Sequence, residues 1–376
     1  MERIYLDHNA TTALDPRVLE AMRPWLEGRF GNASSLHWFG QRARAAVEDA
    51  RARVAALVGA SPAEIVFTSG GTEADNLALR GVAAAAEAPR HKVLVSAVEH
   101  PAVLNTARVL QAQGFVTETV GVTPEGGLDL ADLSERLDGA TVLVCVMLAN
   151  NETGVLQPVV QAAALARARG ALFHCDAVQG VGKLAVDVGA LGCDLLALSA
   201  HKIYGPQGVG ALYVRRGTAM HALLCGGAQE RNRRAGTENV AGVVGLGAAT
   251  ELARVELGSE PARVAALRDQ LEGRLLAIPD ASVNGSGPRL PNTTNVSFGT
   301  RDAVSLLMAL DLAGVAVSTG AACAAGAAEP SHVLLAMGLA REVVQASLRF
   351  SLGRHTTADE IDRAAQAVAR AVERLG

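Results

Sequence analysis

The sequence has 376 residues, 49% of them hydrophobic, and a formal net charge of −4 at pH 7. A chain of this length can bury a large core and form two lobes. Acidic and basic residues are well mixed, so a nucleic-acid partner has no electrostatic support. The longest apolar runs fall short of the roughly 20 residues that a membrane-spanning helix needs.

Five cysteines are scattered along the chain: Cys145, Cys175, Cys193, Cys225 and Cys323. An odd number at wide spacing argues against a disulfide framework and for a reducing compartment. The first residues, MERIYLDHNATTALDP, lack the apolar segment of a secretory signal. We therefore expect a cytoplasmic protein.

One triplet, HCD at 174–176, has residue types that bind metals. Neighbouring side chains of a strand point to opposite faces, so Cys175 cannot converge with His174 and Asp176. The sequence also lacks the CxxC and HxxxH spacings of common zinc sites. We expect no bound metal.

The predicted elements begin with a helix, for which Asp15 is the candidate N-cap and Pro16 the first residue. Six short apolar runs then predict strands, and most lack the alternation of a half-exposed strand, as expected when helices cover both faces. Helical stretches lie between them, which indicates a mostly parallel sheet between helices. The predicted strands are 64–69, 92–97, 141–148, 171–176, 194–199 and 208–214, and the helices are 41–58, 73–86, 101–113 and 157–169.

The pattern changes from about residue 256 onward. There we predict helices at 261–276, 302–311 and 357–374, and strands at 292–298, 315–319 and 347–352. These elements indicate a smaller α+β domain beside the large α/β domain, with the N-terminal segment joining the two. We therefore predict a large domain of residues 16–255 and a small domain of residues 1–15 and 256–376.

The strongest chemical signal is LSAHKIYGPQGVG at 198–210. An apolar strand ends there, and Lys202 meets a turn rich in glycine and proline. Ligands of α/β proteins gather at the carboxyl ends of parallel strands, where this lysine falls. Most lysines are merely surface residues, but three further stretches end at the same edge of the predicted sheet.

These three stretches carry a phosphate cradle, a carboxylate and an imidazole. In FTSGGTEADNLAL a strand runs through Gly71 and Thr72 into a helix, whose free N–H groups can bind phosphate or simply be capped. In FHCDAVQG a strand ends at Asp176, a carboxylate that needs a cationic partner if it is to stay ionised when buried. In SAVEHPAVL a strand is followed by His100, which alone would more often be structural.

Together these groups predict a cofactor with a phosphate and a basic ring nitrogen. Pyridoxal phosphate has both, and it needs a lysine for its aldehyde and an acid for its ring nitrogen. Lys202 and Asp176 supply these two groups. His100 can stack on the ring, and Gln179 can hydrogen-bond its phenolic oxygen. Ser199 and His201 can add donors to the phosphate.

Almost from end to end, the sequence resembles the cysteine desulfurases of the aminotransferase class V family, which are pyridoxal-phosphate enzymes of fold type I. The resemblance rests on YLDHNATT, GNASSLH, SGGTEADN, EHPAVL, NNETG, DAVQ, SAHKIYGPQG, GGAQERNRRAGTEN, EPSHVL and RFSLGR. It implies a large transferase domain with a mostly parallel sheet, plus the smaller α+β domain.

The resemblance also implies the roles of individual residues. Lys202 would carry the cofactor, and His100 would stack on its ring. Thr237, in RAGTEN, would reach the phosphate site of the neighbouring subunit, so that the active unit would be a homodimer. The remaining cofactor contacts would come from Gly71, Thr72, Asn151, Asp176, Gln179, Ser199 and His201.

Cys323, in the alanine- and glycine-rich segment STGAACAAGAAEPSHVL, would be the nucleophile. Substrate L-cysteine would displace Lys202 from the aldehyde, and the freed lysine would take the Cα proton. The Cys323 thiolate would then attack the substrate sulfur, which leaves alanine and an enzyme persulfide. A segment without bulky side chains suits a thiol that must also meet an acceptor protein. The alternative is that Cys323 has only a structural role, as a small buried side chain in the hydrophobic core.

The substrate carboxylate calls for a guanidinium, whose planar fork matches it. Arg349 is the first candidate by resemblance, and Arg354 is the second, with a surface ion pair as its alternative. Asn151 could also contact the carboxylate.

We therefore predict an enzyme that converts L-cysteine to L-alanine and donates sulfur to an iron–sulfur scaffold or to another acceptor, such as the machinery of tRNA thiolation. Cys323 could also ligate a transient cluster. The alternatives are selenocysteine lyase, another class V reaction such as transamination, and a catalytically silent sulfur carrier or scaffold-binding protein.

Overall fold

The computed structural model describes residues 3–319 and 330–375. The chain begins with strand β1 (Ile4–Tyr5) and then crosses to helix α1 (Pro16–Glu27). Asp15 caps this helix, because its carboxylate accepts a hydrogen bond from the N–H of Arg17. The predicted N-cap is thus confirmed.

Seven strands form the central sheet: β2 (Ile65–Thr68), β3 (Lys92–Ser96), β4 (Val116–Val120), β5 (Thr141–Cys145), β6 (Leu172–Asp176), β7 (Leu195–Ser199) and β8 (Gly210–Val214). Their order across the sheet is β2-β8-β7-β6-β5-β3-β4. Neighbours pair in parallel except at β8, which is antiparallel to both β2 and β7. The structure therefore confirms the mostly parallel sheet.

Helices cover both faces of this sheet: α2 (Trp38–Val58), α3 (Gly71–Ala84), α4 (Pro101–Ala112), α5 (Leu130–Arg136), α6 (Val159–Ala168), α7 (Val188–Leu191), α8 (Gln229–Asn232) and α9 (Val240–Glu256). The six predicted strands and four predicted helices are present, with shifts of a few residues at their ends. Strand β4 escaped prediction because it is a partly exposed edge strand, VTETV, with too few apolar residues to stand out.

The C-terminal part contains helices α10 (Glu260–Leu276), α11 (Ala303–Leu312), α12 (His332–Ala336), α13 (Arg341–Gln345) and α14 (Ala358–Leu375). Its strands are β9 (Ala281–Val283), β10 (Thr293–Phe298), β11 (Val315–Ala316) and β12 (Ser347–Ser351). β10 lies between β9 and β12 in an antiparallel sheet, and β1 pairs in parallel with β11. The N-terminal strand is thus paired with a strand of the C-terminal part.

Separate apolar cores support the proposed division into two domains. Helices pack onto the two faces of the large sheet through two clusters of buried apolar residues. One cluster contains Phe173 and the other contains Leu79. Another cluster combines Leu6 with apolar residues of 264–372. We therefore keep 16–255, and 1–15 with 256–376, as the proposed domains. Within residues 3–319 and 330–375, no helix combines the length and apolarity needed to span a membrane.

A buried ion pair fixes the chain where it turns through α8. Glu230, Arg231 and Asn232 all have positive φ (45°, 56° and 63°), so α8 is a left-handed turn, which is unfavourable for these side chains. Arg51 donates from both terminal nitrogens to the two carboxylate oxygens of Glu230, at 2.7 and 2.8 Å. The N–H of Phe67 donates to the same carboxylate at 2.9 Å. This bidentate contact holds the turn against β2.

Removing the charge of Glu230 should destabilise the protein strongly. Glu230→Gln removes the buried counter-charge of Arg51 and leaves only the half-exposed carboxylate of Glu48, and breaking such a buried pair costs about 3–5 kcal/mol. The free energy of unfolding in urea measures this loss. Arg23→Gln, which breaks an exposed ion pair within α1, is the control and should leave the unfolding midpoint unchanged. Equal effects of the two substitutions would contradict a structural role for the buried pair.

Candidate active site

A cavity of about 410 Å³ opens at the carboxyl ends of the parallel strands. The structure brings ten of the predicted site residues together on its wall: Gly71, Thr72, His100, Asn151, Asp176, Gln179, Ser199, His201, Lys202 and Arg349. They come from β2, β3, β5, β6, β7 and β12 or the segments that follow them, so the fold gathers them from distant parts of the sequence.

Lys202 ends a single 3₁₀ turn that follows strand β7. Its Nζ donates to the main-chain oxygens of Asn9 and Ala10, at 2.5 and 2.6 Å. Burial, together with the positive charge of Arg349, lowers the pKa of Lys202 to about 8, although Asp176 acts in the opposite direction. A lysine with such a pKa is partly neutral near physiological pH and can attack a carbonyl.

Asp176 ends strand β6 and is buried. Its carboxylate accepts a hydrogen bond from the N–H of Val178 at 2.9 Å. Burial raises the pKa of Asp176, while the charges of His100 and Lys202 lower it. A cationic ring nitrogen beside this carboxylate would offset the cost of burying its charge.

The turn from β2 into α3 forms the candidate phosphate cradle. A Cβ on Gly71 would lie 2.8 Å from Cγ2 of Val178, so a side chain there would force its neighbours to move. The N–H groups of the first helical turn have no partners within the helix and point toward the space that an anion can fill. Glu73 also lines this space, and its carboxylate accepts from the N–H of Ser69 and pairs with the guanidinium of Arg234.

These groups fit a cofactor that carries a phosphate and a basic ring nitrogen. Ser199 is buried beside the cradle. The Nδ1 of His201 lies 3.1 Å from Oγ1 of Thr11, which orients the ring. The acid Asp176, the amine of Lys202 and the N-terminus of α3 therefore line one cavity. Pyridoxal phosphate requires these three groups together.

His100 is the N-cap of α4. Its Nδ1 accepts a hydrogen bond from the N–H of Ala102 at 3.1 Å, so the proton of the neutral ring lies on Nε2. Burial lowers the pKa of His100, against the effect of Asp176. The capping role is structural, but the ring also forms part of the cavity wall.

Arg349 is the guanidinium at the cavity. It is buried on β12, and its terminal nitrogens donate to Asn151 O at 2.9 Å and to Oδ1 of Asp7 at 2.6 Å. Its Nε is buried without a hydrogen-bond partner among the described residues. A donor of this kind next to an open cavity is suited to an anionic ligand.

Two predicted residues are described by the structure but are not on this wall. Arg354 faces another cavity, where its guanidinium pairs with Asp15 and Glu256 at 2.6 and 2.7 Å and stacks on Tyr204. This placement favours the alternative of an ion pair over substrate binding. Thr237 is exposed and lies apart from the cavity of its own chain. Cys323 lies outside the described residues.

Several residues of the site were not predicted from the sequence. The carbonyl of Asn9 is at the centre of the site, although the motif that contains it gave no reason to select it. Asp75 lines the cavity and contacts Nε2 of buried His174 at 3.0 Å. An acid on the buried face of α3 was a signal that could have identified it. Lys183 donates to Gln179, and its sequence context gave no signal.

Glu99 adds another buried acid behind the cavity. Its Oε1 accepts from Ser96 Oγ at 2.5 Å and from the N–H of Met147 at 2.7 Å, while Oε2 has no partner among the described residues. Burial raises the pKa of Glu99 to about 8. The carboxyl is therefore mostly protonated at neutral pH.

Comparison with known proteins agrees with this geometry. The sequence matches the aminotransferase class-V model over residues 4–364. It is 49% identical to a cysteine desulfurase of Trichormus azollae over 377 residues, which cover 100% of this chain and 94% of that protein. A solved NifS-like protein superposes with a TM-score of 0.94 at 37% identity, covering 99% of this chain and 100% of that one.

A second solved structure, of SspA in complex with cysteine, superposes with a TM-score of 0.82 at 32% identity and covers 94% of this chain and 100% of that one. The chain therefore belongs to the aminotransferase class-V family, and within it to the cysteine desulfurases. The predicted family and the predicted transferase fold are both confirmed.

The lowered pKa of Lys202 predicts how the capture of the cofactor depends on pH. Below about 8 the ammonium form dominates and cannot attack an aldehyde; above it the free amine dominates. Mixing cofactor-free protein with pyridoxal phosphate should give a rate that rises up to about pH 8 and then levels off. A rate that keeps rising to about pH 10, as for an ordinary lysine, would contradict this assignment.

Glu99 predicts a pH dependence of stability. Its pKa is about 8 in the folded protein but about 4.3 in an unfolded chain. The folded state therefore binds the proton more tightly, and the free energy of unfolding falls as pH rises between these two values.

Glu99→Gln removes this dependence. We expect the variant to be more stable than the cofactor-free wild type at pH 8, by roughly a few kcal/mol, with the difference vanishing near pH 4. Urea unfolding at several pH values measures it. Glu87→Gln, at an exposed carboxylate, is the control. A constant difference across this range would contradict a protonated Glu99.

Proposed function

We propose that this chain converts L-cysteine to L-alanine, with pyridoxal phosphate held on Lys202 and the sulfur taken up by Cys323 as a persulfide. The observation that carries the proposal is the single cavity that joins Lys202, Asp176 and Arg349, in a chain related over its full length to cysteine desulfurases. One amine, one buried acid and one guanidinium are the groups that this cofactor and an amino-acid substrate need together.

When bound, the cofactor supplies an electron sink for the substrate Cα. Asp176 would hold its ring nitrogen, and His100 would lie against the ring. The N–H groups at Gly71 and Thr72, with Ser199 and His201, would bind its phosphate. Asn151 and Gln179 complete the proposed set around the ring.

Arg349 would bind the substrate carboxylate. Its Nε is buried and has no partner among the described residues, while Asp7 and Asn151 O fix the rest of the guanidinium. The group is therefore oriented before the substrate arrives, which reduces the entropic cost of binding. The solved structure of SspA in complex with cysteine supports this choice of substrate.

Lys202 would also move the proton. As a neutral amine, its Nζ would take the proton from the substrate Cα, since its pKa is lowered to about 8. The carbonyls of Asn9 and Ala10 accept hydrogen bonds from the same Nζ and limit where it can lie. A general base is most effective when its pKa lies near the working pH.

The Cys323 thiolate would form a bond to the substrate sulfur, and the carbon–sulfur bond would break. The electron pair of that bond stays with the substrate carbon, which takes up a proton and leaves as alanine. Both atoms and electrons balance: one cysteine and one enzyme thiol become alanine and one enzyme persulfide.

The partners and the location belong to the same proposal. A homodimer would bring Thr237 to the phosphate site of the neighbouring subunit, and the exposure of Thr237 supports this. The persulfide would pass to an iron–sulfur scaffold or another acceptor. The four described cysteines are free thiols, which supports a reducing, cytoplasmic environment.

The reaction is tested with L-cysteine under anaerobic conditions. We expect wild type to form alanine and protein-bound persulfide together. Cys323→Ala should form neither, although L-cysteine should still change its cofactor absorbance. Cys225→Ala, at the exposed member of the four described cysteines, is the matched control and should behave as wild type. If Cys323→Ala makes as much alanine as wild type, Cys323 is not the nucleophile and a lyase or transaminase reaction is favoured.

Arg349→Lys tests the carboxylate site. A lysine keeps the charge but loses the planar fork and the Nε donor, so KM for L-cysteine should rise by about tenfold or more. Cofactor absorbance should be retained. Steady-state kinetics measure the effect, and Arg354→Lys should change KM far less. The reverse order of the two effects would assign the carboxylate to Arg354.

A further inference from the structure

Lys183 lies on the segment that follows β6 and makes its hydrogen bonds to one residue. Its Nζ donates to the side-chain oxygen Oε1 of Gln179 at 2.8 Å and to the main-chain oxygen of the same residue at 3.1 Å. The chain has only three lysines among its 34 lysine and arginine residues, and two of them, Lys183 and Lys202, lie around this site.

The side-chain amide of Gln179 lies between a hydrogen-bond donor, Lys183, and a hydrogen-bond acceptor, the carbonyl of Asn9. On one side Nζ of Lys183 donates to the amide oxygen, and the protonated lysine requires this orientation because an ammonium group has no lone pair with which to accept. On the other side the carbonyl of Asn9 can only accept, so it requires the amide nitrogen, whose Nε2 lies 3.0 Å away. Both neighbours therefore select the same orientation of an amide that could otherwise flip.

This orientation determines what Gln179 offers to the cavity. The NH₂ group has two hydrogens, and the carbonyl of Asn9 takes one of them. The second hydrogen remains for a ligand in the cavity that Gln179 lines. If the amide flipped, its oxygen would face the cavity and would repel an anionic oxygen of the ligand.

We propose that Lys183 is a positioning residue that locks Gln179 as a hydrogen-bond donor to the phenolic oxygen of the cofactor. This inference rests on the proposed function, because it assigns that oxygen to Gln179. Lys183 acts through Gln179 and has no contact with the reacting atoms. It also lines a small cavity on the other side of Lys202, together with His8 and Thr12.

Positive charges around Lys183 make its protonation, and so its hydrogen bond to Gln179, depend on whether an anion is bound nearby. Lys202 and Arg349 lie near it, and so do the rings of His8 and His201. Burial and the charges of Lys202 and Arg349 lower the pKa of Lys183 to about 7. An anionic oxygen next to Gln179 would offset this repulsion, so cofactor binding and protonation of Lys183 should favour each other.

The test compares Lys183→Met, Lys183→Arg, Gln179→Ala and the double variant Lys183→Met/Gln179→Ala. Two properties are measured: the Kd of pyridoxal phosphate for cofactor-free protein, and the pH midpoint of the bound cofactor's absorbance change. Lys183→Met should raise Kd by about tenfold, which is the loss expected for one charge-assisted hydrogen bond. It should also move the pH midpoint upward, because the phenolic oxygen loses a donor and keeps more negative charge.

The double variant separates positioning from an independent effect. If Lys183 acts through Gln179, adding Lys183→Met to Gln179→Ala should change Kd by less than about twofold. Lys183→Arg, which keeps a donor and a charge, should retain most of the wild-type affinity. Lys92→Met removes a lysine that pairs with Glu118 away from the site, and should leave both properties unchanged.

The inference is overturned if Lys183→Met binds the cofactor as wild type does with an unchanged pH midpoint, or if its effect is as large without the Gln179 side chain. Thermal unfolding of the cofactor-free variants checks their folding. If Lys183→Met does not fold, Lys183→Leu, which also lacks a hydrogen-bond donor, takes its place with the same expected results. Failure of the proposed function would be visible separately, as a wild type that neither binds the cofactor nor forms alanine.

Discussion

The site depends on one residue, Asn9, whose polar groups join the two parts of the molecule. Its side chain donates to Asn151 O and to Thr293 Oγ1, and its N–H donates to Ser351 Oγ. Its carbonyl accepts from both Lys202 and Gln179. A short N-terminal segment thus connects the large sheet, which supplies the amine, with strand β12, which supplies Arg349. Buried polar networks of this kind are stable only when each member has its partners, and that requirement specifies a single arrangement.

Acidic and basic side chains are buried together at this edge of the sheet. Asp176 and Asp75 are carboxyls whose pKa is raised by burial, whereas Lys202 and Lys183 are amines whose pKa is lowered. Burial shifts the protonation equilibrium of both kinds of group toward their neutral forms. A ligand that brings a cationic nitrogen to the acids and anionic oxygens to the donors would restore the charges. The charged groups around the site therefore favour a ligand that carries both signs.

Much of the fold could be predicted from the sequence, because buried parallel strands are apolar throughout and stand out between amphipathic helices. Lys202 and Asp176 could be found because each follows such a strand directly. Lys183 and the carbonyl of Asn9 could not, since their roles arise from contacts between segments about 170 or more residues apart or from one side chain orienting another. Arg354 was a reasonable candidate by residue type, yet Asp15 and Glu256 already bind its guanidinium. Residue type and strand position therefore locate the cavity, while the partner of each side chain decides its role.

The central claim is that Lys202 carries the cofactor. The most direct measurement is to incubate the protein with pyridoxal phosphate, reduce the complex with borohydride, digest it and find the labelled peptide by mass spectrometry. With only Lys92, Lys183 and Lys202 in the chain, the three possible answers are easily separated. The account predicts the label on Lys202 alone. A label on Lys183 or Lys92, or equal labelling of all three, would contradict it.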